Sequence, residues 1–228
     1  MPELSAIAIS ALPDDIEFTM AGTLLLLRAA GYRSHDLTVS TGSCGSLVRG
    51  AAALRKFRRR EGLRAAAVPG AQFHGSHADD VEIVYSVPRL RALTAVLREV
   101  HPTVVLTHPP QDYMEDHTNT CRLAVMAAFS RGAPNFTSGR AAPRGRAIRR
   151  SIMRYRSASA AACGGGSCRA HLSTPPRCKK TKLAALARHE SRRGWLQATQ
   201  QTSSYLQWME DDALGKKYLV NRACARAS

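Results

Sequence analysis

The sequence predicts an α/β protein with a doubly wound, mostly parallel β-sheet and a C-terminal helical addition. Short apolar runs alternate with longer segments of helical spacing through the first 135 residues. This order is typical of a parallel sheet that is covered by helices. The 228 residues, of which 44% are hydrophobic, are enough for one sizeable core. We expect no membrane span, because no stretch approaches the roughly 20 apolar residues that cross a bilayer.

Four short apolar segments are predicted to form the strands. The first, Ser5–Ser10 (SAIAIS), is a short apolar run that ends before a proline and two aspartates, which indicates a buried strand. The others are His35–Ser40, Gln72–His74 and Thr103–Thr107. Right-handed crossovers place the loops that follow these strands on one edge of the sheet. Ligands bind at that edge in open sheets of this kind.

Helices are predicted between and after the strands. Helical spacing extends over Phe18–Ala30, Leu47–Val68, Val87–Val100 and His117–Arg131. Gly31 is placed as the C-terminal stop of the first helix, and Pro88 is acceptable in the first turn of the third. Apolar residues recur at helical spacing over Lys182–Glu190 and Gly194–Met209, which favours a C-terminal helical hairpin.

Charge divides the chain into three parts. Residues 1–138 carry 14 basic residues (Lys and Arg) and 13 acidic residues (Asp and Glu). Residues 139–182 carry 12 basic residues and no acidic one, and residues 183–228 carry 7 basic and 4 acidic residues. We therefore predict a near-neutral folded domain over 1–138, a basic segment over 139–182 and C-terminal helices over 183–228. The net charge of +16 mainly reflects the basic segment, so nucleic acid is not the expected partner of the folded domain.

The basic segment lacks apolar periodicity and is rich in Arg, Ala, Gly, Ser and Cys. Low hydrophobicity and self-repulsion favour disorder. Acid-free sequence of this composition is also typical of a GC-rich gene translated out of frame, which is the interpretation that we favour. The alternatives are an arm that binds nucleic acid and a zinc knuckle built on Cys163, Cys168, His171 and Cys178.

The location and assembly of the protein are weakly constrained by its composition. The six cysteines are few and irregularly spaced, so a disulfide framework is not expected. The N-terminus has no basic flank, so no secretory signal is predicted and we expect a cytoplasmic protein. A homo-oligomer is compatible with the sequence.

Three polar loops are predicted to meet at the carboxyl edge of the sheet: Ala11–Glu17, Gly42–Ser46 and His108–His117. They bring Asp14 and Asp15 close to Asp116 and His117, although about 100 residues separate the two pairs. Carboxylates and an imidazole suit a metal such as zinc. A further carboxylate can then take a proton from water that the metal activates. The alternative is that these aspartates are N-caps of two helices.

Three motifs occur in order along the chain: Ala8–Gly22 (AISALPDDIEFTMAG), residues 58–61 (RRRE) and Val104–Leu123 (VVLTHPPQDYMEDHTNTCRL). Together with the tail Leu183–Met209, they resemble the LmbE/PIG-L family of zinc-dependent N-acetylglucosaminyl deacetylases. The family's first motif reads His-Pro-Asp-Asp-Glu or His-Pro-Asp-Asp-Ile-Glu, its second Arg-x-x-Glu, and its third ends in Asp-His. The resemblance covers roughly residues 4–138 and 180–212.

The resemblance implies a Rossmann-like α/β fold, zinc as cofactor, and hydrolysis of an N-acetyl amide on an amino-sugar substrate. Carried over by position, Asp14 is the general base and Asp15 and His117 are zinc ligands. Asp116 is a catalytic residue that orients this machinery. Arg58 is a candidate for binding the substrate.

Two positions depart from the family's pattern. The histidine before Pro-Asp-Asp, a zinc ligand in the family, is here Leu12, which leaves two of the usual three protein ligands. Met114 stands where many members carry a histidine that supports the oxyanion. The chain is then either a deacetylase with weak or absent zinc or a non-catalytic carbohydrate-binding protein. His74, His77 and His108 are the candidates to replace the missing ligand, and His108 is nearest in the predicted topology.

Overall fold

The computed structural model of the chain describes residues 4–138, 152–154 and 176–200. Its five parallel strands form one sheet in the order β3-β2-β1-β4-β5. The strands are β1 Ser5–Ser10, β2 Arg33–Thr38, β3 Gln72–His74, β4 Val104–Thr107 and β5 Ile152–Arg154. In the central register, Ile7 of β1 pairs with His35 of β2 and with Val105 of β4. The predicted fold class, a Rossmann-like α/β sheet with helices around it, is confirmed.

The helices follow the predicted order. A π-helical turn over Ile16–Met20 leads into the first, and the set is α1 Ala21–Ala29, α2 Ala51–Ala67, α3 Val87–Val100, α4 Glu115–Ser130, α5 Pro176–Leu186 and α6 Glu190–Gln200. The hydroxyl of Ser86 accepts a hydrogen bond from the amide of Arg89 and caps α3, with Pro88 in its first turn. Gly31 follows α1 with φ +89°, a conformation that glycine adopts without steric cost and that ends a helix.

Apolar side chains of β1 enter two different cores. Ile7 and Ile9 pack on one face of the sheet, together with leucines of α3 and α4. Ala6 and Ala8 pack on the opposite face, with side chains from the π-helical turn and α1. Because successive residues of a strand point to opposite faces, both faces are covered. This explains why SAIAIS lacks the polar alternation of a half-exposed strand.

The C-terminal helices pack against the elements that lead out of β1. Helix α5 contacts α1, α2 and the π-helical turn. Leu186 and Leu196 are buried in a small apolar core, against which Phe18 and Trp195 pack. The predicted helical addition therefore exists over the described residues, and it lies against the sheet domain.

Strand β5 falls inside the basic segment, where the sequence predicted no strand. Its residue Ile152 pairs with Val105 of β4. Three residues are too few to produce a periodic signal, so this strand depends on pairing with its neighbour. The other predictions for the segment, and those for residues 201–228, lie outside the described residues, apart from α5, which begins within the segment at Pro176. Among the described helices, none is both long and apolar enough to cross a membrane.

Candidate metal centre and active site

Asp15, His108 and His117 meet at the carboxyl edge of the sheet. Asp15 lies in the loop after β1, His108 directly follows β4, and His117 lies in the first turn of α4. One ligand atom from each residue lies within 4.8 Å of the others. Asp15 Oδ2 is 3.4 Å from His108 Nε2 and 3.5 Å from His117 Nε2. The two imidazole rings are stacked, with centroids 4.1 Å apart.

The charges of this cluster shift the pKa values of its members. Burial raises the pKa of Asp15, but the adjacent imidazoles of His108 and His117 outweigh burial and hold that pKa well below its usual range. Burial lowers the pKa of His117, whereas Asp15 and Asp112 raise it to about 9. In the metal-free protein His117 is therefore protonated near pH 7, and a metal must displace that proton to bind.

A further carboxylate, Asp112, orients His117. Its Oδ2 is 3.2 Å from His117 Nδ1, and its Oδ1 accepts a hydrogen bond from the amide of Met114 at 3.0 Å. His117 Nε2 is buried on the side of Asp15 and forms no hydrogen bond to the described residues. A histidine that binds a metal usually donates its other N–H to a carboxylate or carbonyl. His117 thus has the surroundings that a metal-binding histidine usually has.

His108 is the candidate replacement ligand that the structure brings to this cluster. It is 3% exposed, and its Nε2 accepts the backbone N–H of Ala11 at 2.8 Å. His108 Nε2 can therefore coordinate a metal only if its hydrogen bond with the Ala11 amide is broken. His74 lies elsewhere, in β3, with its Nε2 3.0 Å from His35 Nδ1. His77 follows β3, and its amide donates to the carbonyl of Val39.

Leu12 and Met114, the two departures from the family's pattern, share one apolar environment. Leu12 is buried in the core that contains Ile7 and Ile9, and Met114 packs against that core. The Leu12 backbone still serves the site, because its amide donates to Asp15 Oδ2 at 2.7 Å. Leucine therefore offers no side-chain nitrogen at this position, while its backbone hydrogen bond still holds Asp15.

Asp14 has an unusual backbone conformation. Its φ is +99°, in a region that residues with a Cβ rarely adopt. Such strain persists where the surrounding structure imposes it, and it concentrates at functional sites. The side chain is buried, and its Oδ2 lies 3.5 Å from Nε of Arg192. The two neighbouring aspartates thus face different partners, since Asp15 lies against the histidines.

Asp116 and Arg58 contact the loops that follow β3 and β2. Asp116 Oδ2 accepts the backbone N–H of Val81 at 2.8 Å, and Val81 has φ +58°. Arg58 is 2% exposed, and its Nη2 donates to the carbonyl of Gly45 at 3.4 Å. The structure therefore brings Asp15 and His117 together as predicted, while Asp116 and Arg58 support neighbouring backbone.

The loop after β2 is ordered by Asp80, a residue of the polar turn that follows β3. Asp80 accepts hydrogen bonds from the amides of Gly42 at 2.7 Å and Cys44 at 3.1 Å. Gly42 has φ +74°, and a Cβ there would lie 2.6 Å from Cδ of Arg58, so glycine is required. The sequence offers two interpretations of Asp79 and Asp80, the rim of the site or a solvated turn, and the structure places the Asp80 carboxylate against the loop after β2.

Arg192 and Trp195 of α6 were not predicted as site residues, because no local pattern indicates where a C-terminal helix docks. The guanidinium of Arg192 lies over the ring of Trp195, 4.7 Å from its centroid. Asp112 was missed for a similar reason. It lies five residues before His117 in the same polar loop, but loop spacing does not determine which side chains meet.

More than half of this chain is similar to known proteins. A model of the PIG-L family, described as GlcNAc-PI de-N-acetylase, matches residues 7–129, more than half of the chain. The 4-oxalmesaconate hydratase of Pseudomonas putida is 28% identical over 146 residues, which are 60% of this chain and 57% of the hydratase. The chain thus spans less than two thirds of the length of that relative.

The fold is shared with solved structures, among them two that are 22–23% identical to this chain. The N,N'-diacetylchitobiose deacetylase of Pyrococcus horikoshii superimposes with a TM-score of 0.66 at 23% identity, covering 82% of this chain and 70% of that one. A conserved protein of Thermus thermophilus superimposes with a TM-score of 0.67 at 22% identity, covering 96% of this chain and 90% of that one.

Proposed function

This chain belongs to the PIG-L family, and from that premise we propose that it is a zinc-dependent hydrolase that removes an N-acetyl group from an amino-sugar substrate. The convergence of Asp15, His108 and His117 within 4.8 Å carries the proposal. Two imidazoles and a carboxylate are a donor set typical of catalytic zinc. The buried His117 Nε2, which has no hydrogen-bond partner among the described residues, fits the ion. The Asp112 carboxylate, which lies beside His117 Nδ1, is also the kind of partner that a metal-binding histidine has.

In this proposal each residue near the cluster has a separate task. Asp15, His108 and His117 would hold a zinc ion, which would supply Lewis-acid activation of water and of the acetyl carbonyl. Asp14 takes the proton from the attacking water as the new C–O bond forms. Asp14 then returns this proton to the amine nitrogen as the C–N bond breaks, so the products are acetate and a free amine.

Asp116 and Arg58 act in this proposal by positioning. Asp116 holds the loop after β3 to α4 through the amide of Val81. Arg58 holds the loop after β2 through the carbonyl of Gly45. Both loops follow strands of the sheet at its carboxyl edge, where the substrate reaches the reacting centre.

The test combines metal content with turnover. The full-length protein is loaded with zinc, its zinc content is measured by elemental analysis, and amine release from N-acetylated amino sugars is followed with and without a chelator. We expect His117→Ala to lose zinc and turnover. The exposed His101→Asn serves as the control, because asparagine tolerates the left-handed backbone of that position. Sugar binding without zinc and without turnover would instead establish a non-catalytic carbohydrate-binding protein.

A second candidate function is hydration of a carbon–carbon double bond in a carboxylated substrate. It is favoured by the 28% identity to 4-oxalmesaconate hydratase. The same metal centre would activate water, but no amide would be cleaved and no amine released. Loss of the ultraviolet absorbance of an unsaturated dicarboxylate, without amine release from any acetylated sugar, would favour the hydratase over the deacetylase.

A further inference from the structure

Half of the basic residues of the sheet domain lie on α2 or just before it. Residues 1–138 carry 14 basic and 13 acidic residues, but 7 of the 14 and only one of the 13 fall within residues 49–64. The exposed charges of α3 and α4 are of both signs: Arg91 and Glu99 on α3, Arg122 and Glu115 on α4. The near-neutral domain is therefore strongly polarised, with its positive charge concentrated on one helix.

Five basic side chains share the solvent-exposed face of α2. They are Arg55, Lys56, Arg59, Arg60 and Arg64. Because these positions recur about one helical turn apart, they lie on one side of the helix. Arg55 pairs with Asp79, whereas no carboxylate of the described residues lies within ion-pair distance of the other four, which we call the cationic face. Lys56 and Arg60 are four positions apart, as are Arg60 and Arg64, so their like charges repel each other along the helix. An anionic partner would relieve this repulsion.

Exposed apolar side chains adjoin the cationic face. Leu47 and Val48, directly before α2, are 69% and 85% exposed. The amides of Val48 and Arg49 donate to Ser46 Oγ at 3.2 and 3.0 Å, and these bonds fix the turn that presents the two apolar side chains. Leu63 lies on α2 between the cations and is 42% exposed. Exposed apolar side chains next to cations are typical of surfaces that lie in the interface of a bilayer.

We propose that the cationic face and the Leu47–Val48 pair form a docking surface for a lipid bilayer with anionic headgroups. The phosphates of the headgroups complement the cations, and the two apolar side chains enter the boundary between headgroups and acyl chains. A nucleic acid would complement the same charges but offers no apolar interior to Leu47 and Val48. Stacking of bases is not provided for either, because the guanidinium of Arg49 covers the ring of Phe57, the only aromatic residue of α2, at 4.4 Å. The inference goes beyond the proposed function and does not depend on it.

The first experiment measures how the full-length protein sediments with lipid vesicles. Vesicles of phosphatidylcholine mixed with phosphatidylglycerol are compared with vesicles of phosphatidylcholine alone, at low and at moderate salt concentration. We expect binding to the anionic vesicles to exceed binding to the neutral ones by about tenfold or more, and to weaken as salt is added. Equal binding to both kinds of vesicle, or no binding to the anionic vesicles at low salt, would overturn the proposal.

Charge variants separate α2 from the basic segment over residues 139–182, which also attracts anionic lipids. Lys56→Gln/Arg60→Gln removes two charges of the cationic face and should weaken binding to the anionic vesicles by about tenfold. Arg91→Gln/Arg122→Gln removes two exposed charges from α3 and α4 and is the matched control, which should weaken it by less than about twofold. If both double variants weaken binding equally, net charge alone is responsible and the proposal is wrong.

A third comparison tests the apolar part of the surface. Leu47→Ser should weaken binding by about threefold or more at either salt concentration, because burial of an apolar side chain is not screened by ions. Phe129→Ser on α4 is the control, since Phe129 is 70% exposed and lies outside the proposed surface, and it should leave binding unchanged. Binding that Leu47→Ser does not affect would overturn the proposal.

Duplex DNA of mixed sequence is the competing probe. We expect it to compete weakly with the anionic vesicles for the full-length protein. Binding to the duplex that exceeds binding to the vesicles and that Lys56→Gln/Arg60→Gln weakens would instead identify a nucleic acid as the partner of α2, and would overturn the lipid surface. Circular dichroism verifies that each variant is folded, which is expected because every substituted side chain is exposed.

Discussion

Glu61 on α2 accepts two hydrogen bonds from Ser191 at the start of α6, one from the backbone N–H at 2.8 Å and one from the hydroxyl at 2.6 Å. The two residues are 130 positions apart in the chain. A carboxylate at this place satisfies an unpaired amide of the first helical turn and interacts favourably with the helix dipole. Because Arg192 follows Ser191, the Glu61–Ser191 pair brings a residue of the C-terminal helices to Asp14.

Glu61→Ala is expected to loosen α6 from the sheet domain. The change leaves the partly buried Ser191 groups without their acceptor, so we expect the free energy of unfolding to fall by about 1–3 kcal/mol. Trp195 emission should move to longer wavelength, measured with Trp208→Phe so that a single tryptophan reports. The exposed Glu99→Ala on α3 is the control and should change stability by less than about 0.5 kcal/mol. Unchanged stability and emission in Glu61→Ala would contradict this role.

The two neighbouring aspartates should fail in different ways when replaced. Asp14→Asn is expected to lower kcat by about 10²–10⁴ and to leave zinc bound, because it removes the general base and not a ligand. Asparagine also tolerates the positive φ of this position. Asp15→Asn should lose the metal together with the activity. Zinc content and turnover of both variants are measured side by side, and an active Asp14→Asn would show that these roles are wrongly divided.

Leu12→His is expected to strengthen zinc binding by about tenfold or more, since it restores a nitrogen ligand beside Asp15. The same change places a polar ring in an apolar core and should cost about 1–3 kcal/mol of unfolding free energy. We also compare His108→Gln in the unmodified protein and in the Leu12→His variant. If His108 is the third ligand of the unmodified protein, the change should weaken zinc binding more in the unmodified protein than in the variant. Tight, near-stoichiometric zinc in the unmodified protein, unchanged by Leu12→His, would refute the idea that Leu12 impairs the site.

Zinc affinity should rise with pH. Burial lowers the pKa of His117, but Asp15 and Asp112 raise it to about 9, so a proton competes with the metal at neutral pH. Displacement of one proton predicts an affinity that increases about tenfold per pH unit below this value. Competition with a chelator between pH 6.5 and 8 measures the slope. Asp112→Asn should flatten the slope because it removes one of the charges that raise the pKa. A slope of zero in the unmodified protein would contradict the predicted competition.

His189 should stabilise the folded protein more at low pH than at high pH. Burial lowers its pKa, but Glu17 and then Asp14 and Glu61 raise it above the usual value. The stabilisation that protonated His189 gives to the folded state is therefore complete below the ordinary histidine pKa of about 6.5. It is lost as the pH rises through the higher pKa that His189 has in the folded protein. Denaturant unfolding should show that the stability difference between wild type and His189→Gln narrows as pH rises. A difference that widens would exclude this role of the His189–Glu17 pair.

The sequence was sufficient to predict the central part of the fold. Ser5–Ser10 and Gln72–His74 are strands with the predicted bounds, and Val87–Val100 is a helix with the predicted bounds. The buried strand Ser5–Ser10 and the amphipathic helix Val87–Val100 have strong local patterns, which is why they could be identified, whereas Gln72–His74 has only three residues and none of them is fully buried. The three-residue β5 has no such pattern. Its existence depends on pairing with β4, a contact between residues that are about 47 positions apart.

The sequence by itself determined that Asp15 and His117 would be neighbours, because the carboxyl ends of parallel strands share one edge of the sheet. Only the tertiary structure decided that His108 completes the cluster, that Asp112 orients His117, and that Arg192 lies beside Asp14. These relationships depend on how loops and a distant helix are packed, to within a few ångströms. Residue order restricts the strand ends to one edge, but it does not specify side-chain directions in loops or the position at which α6 docks.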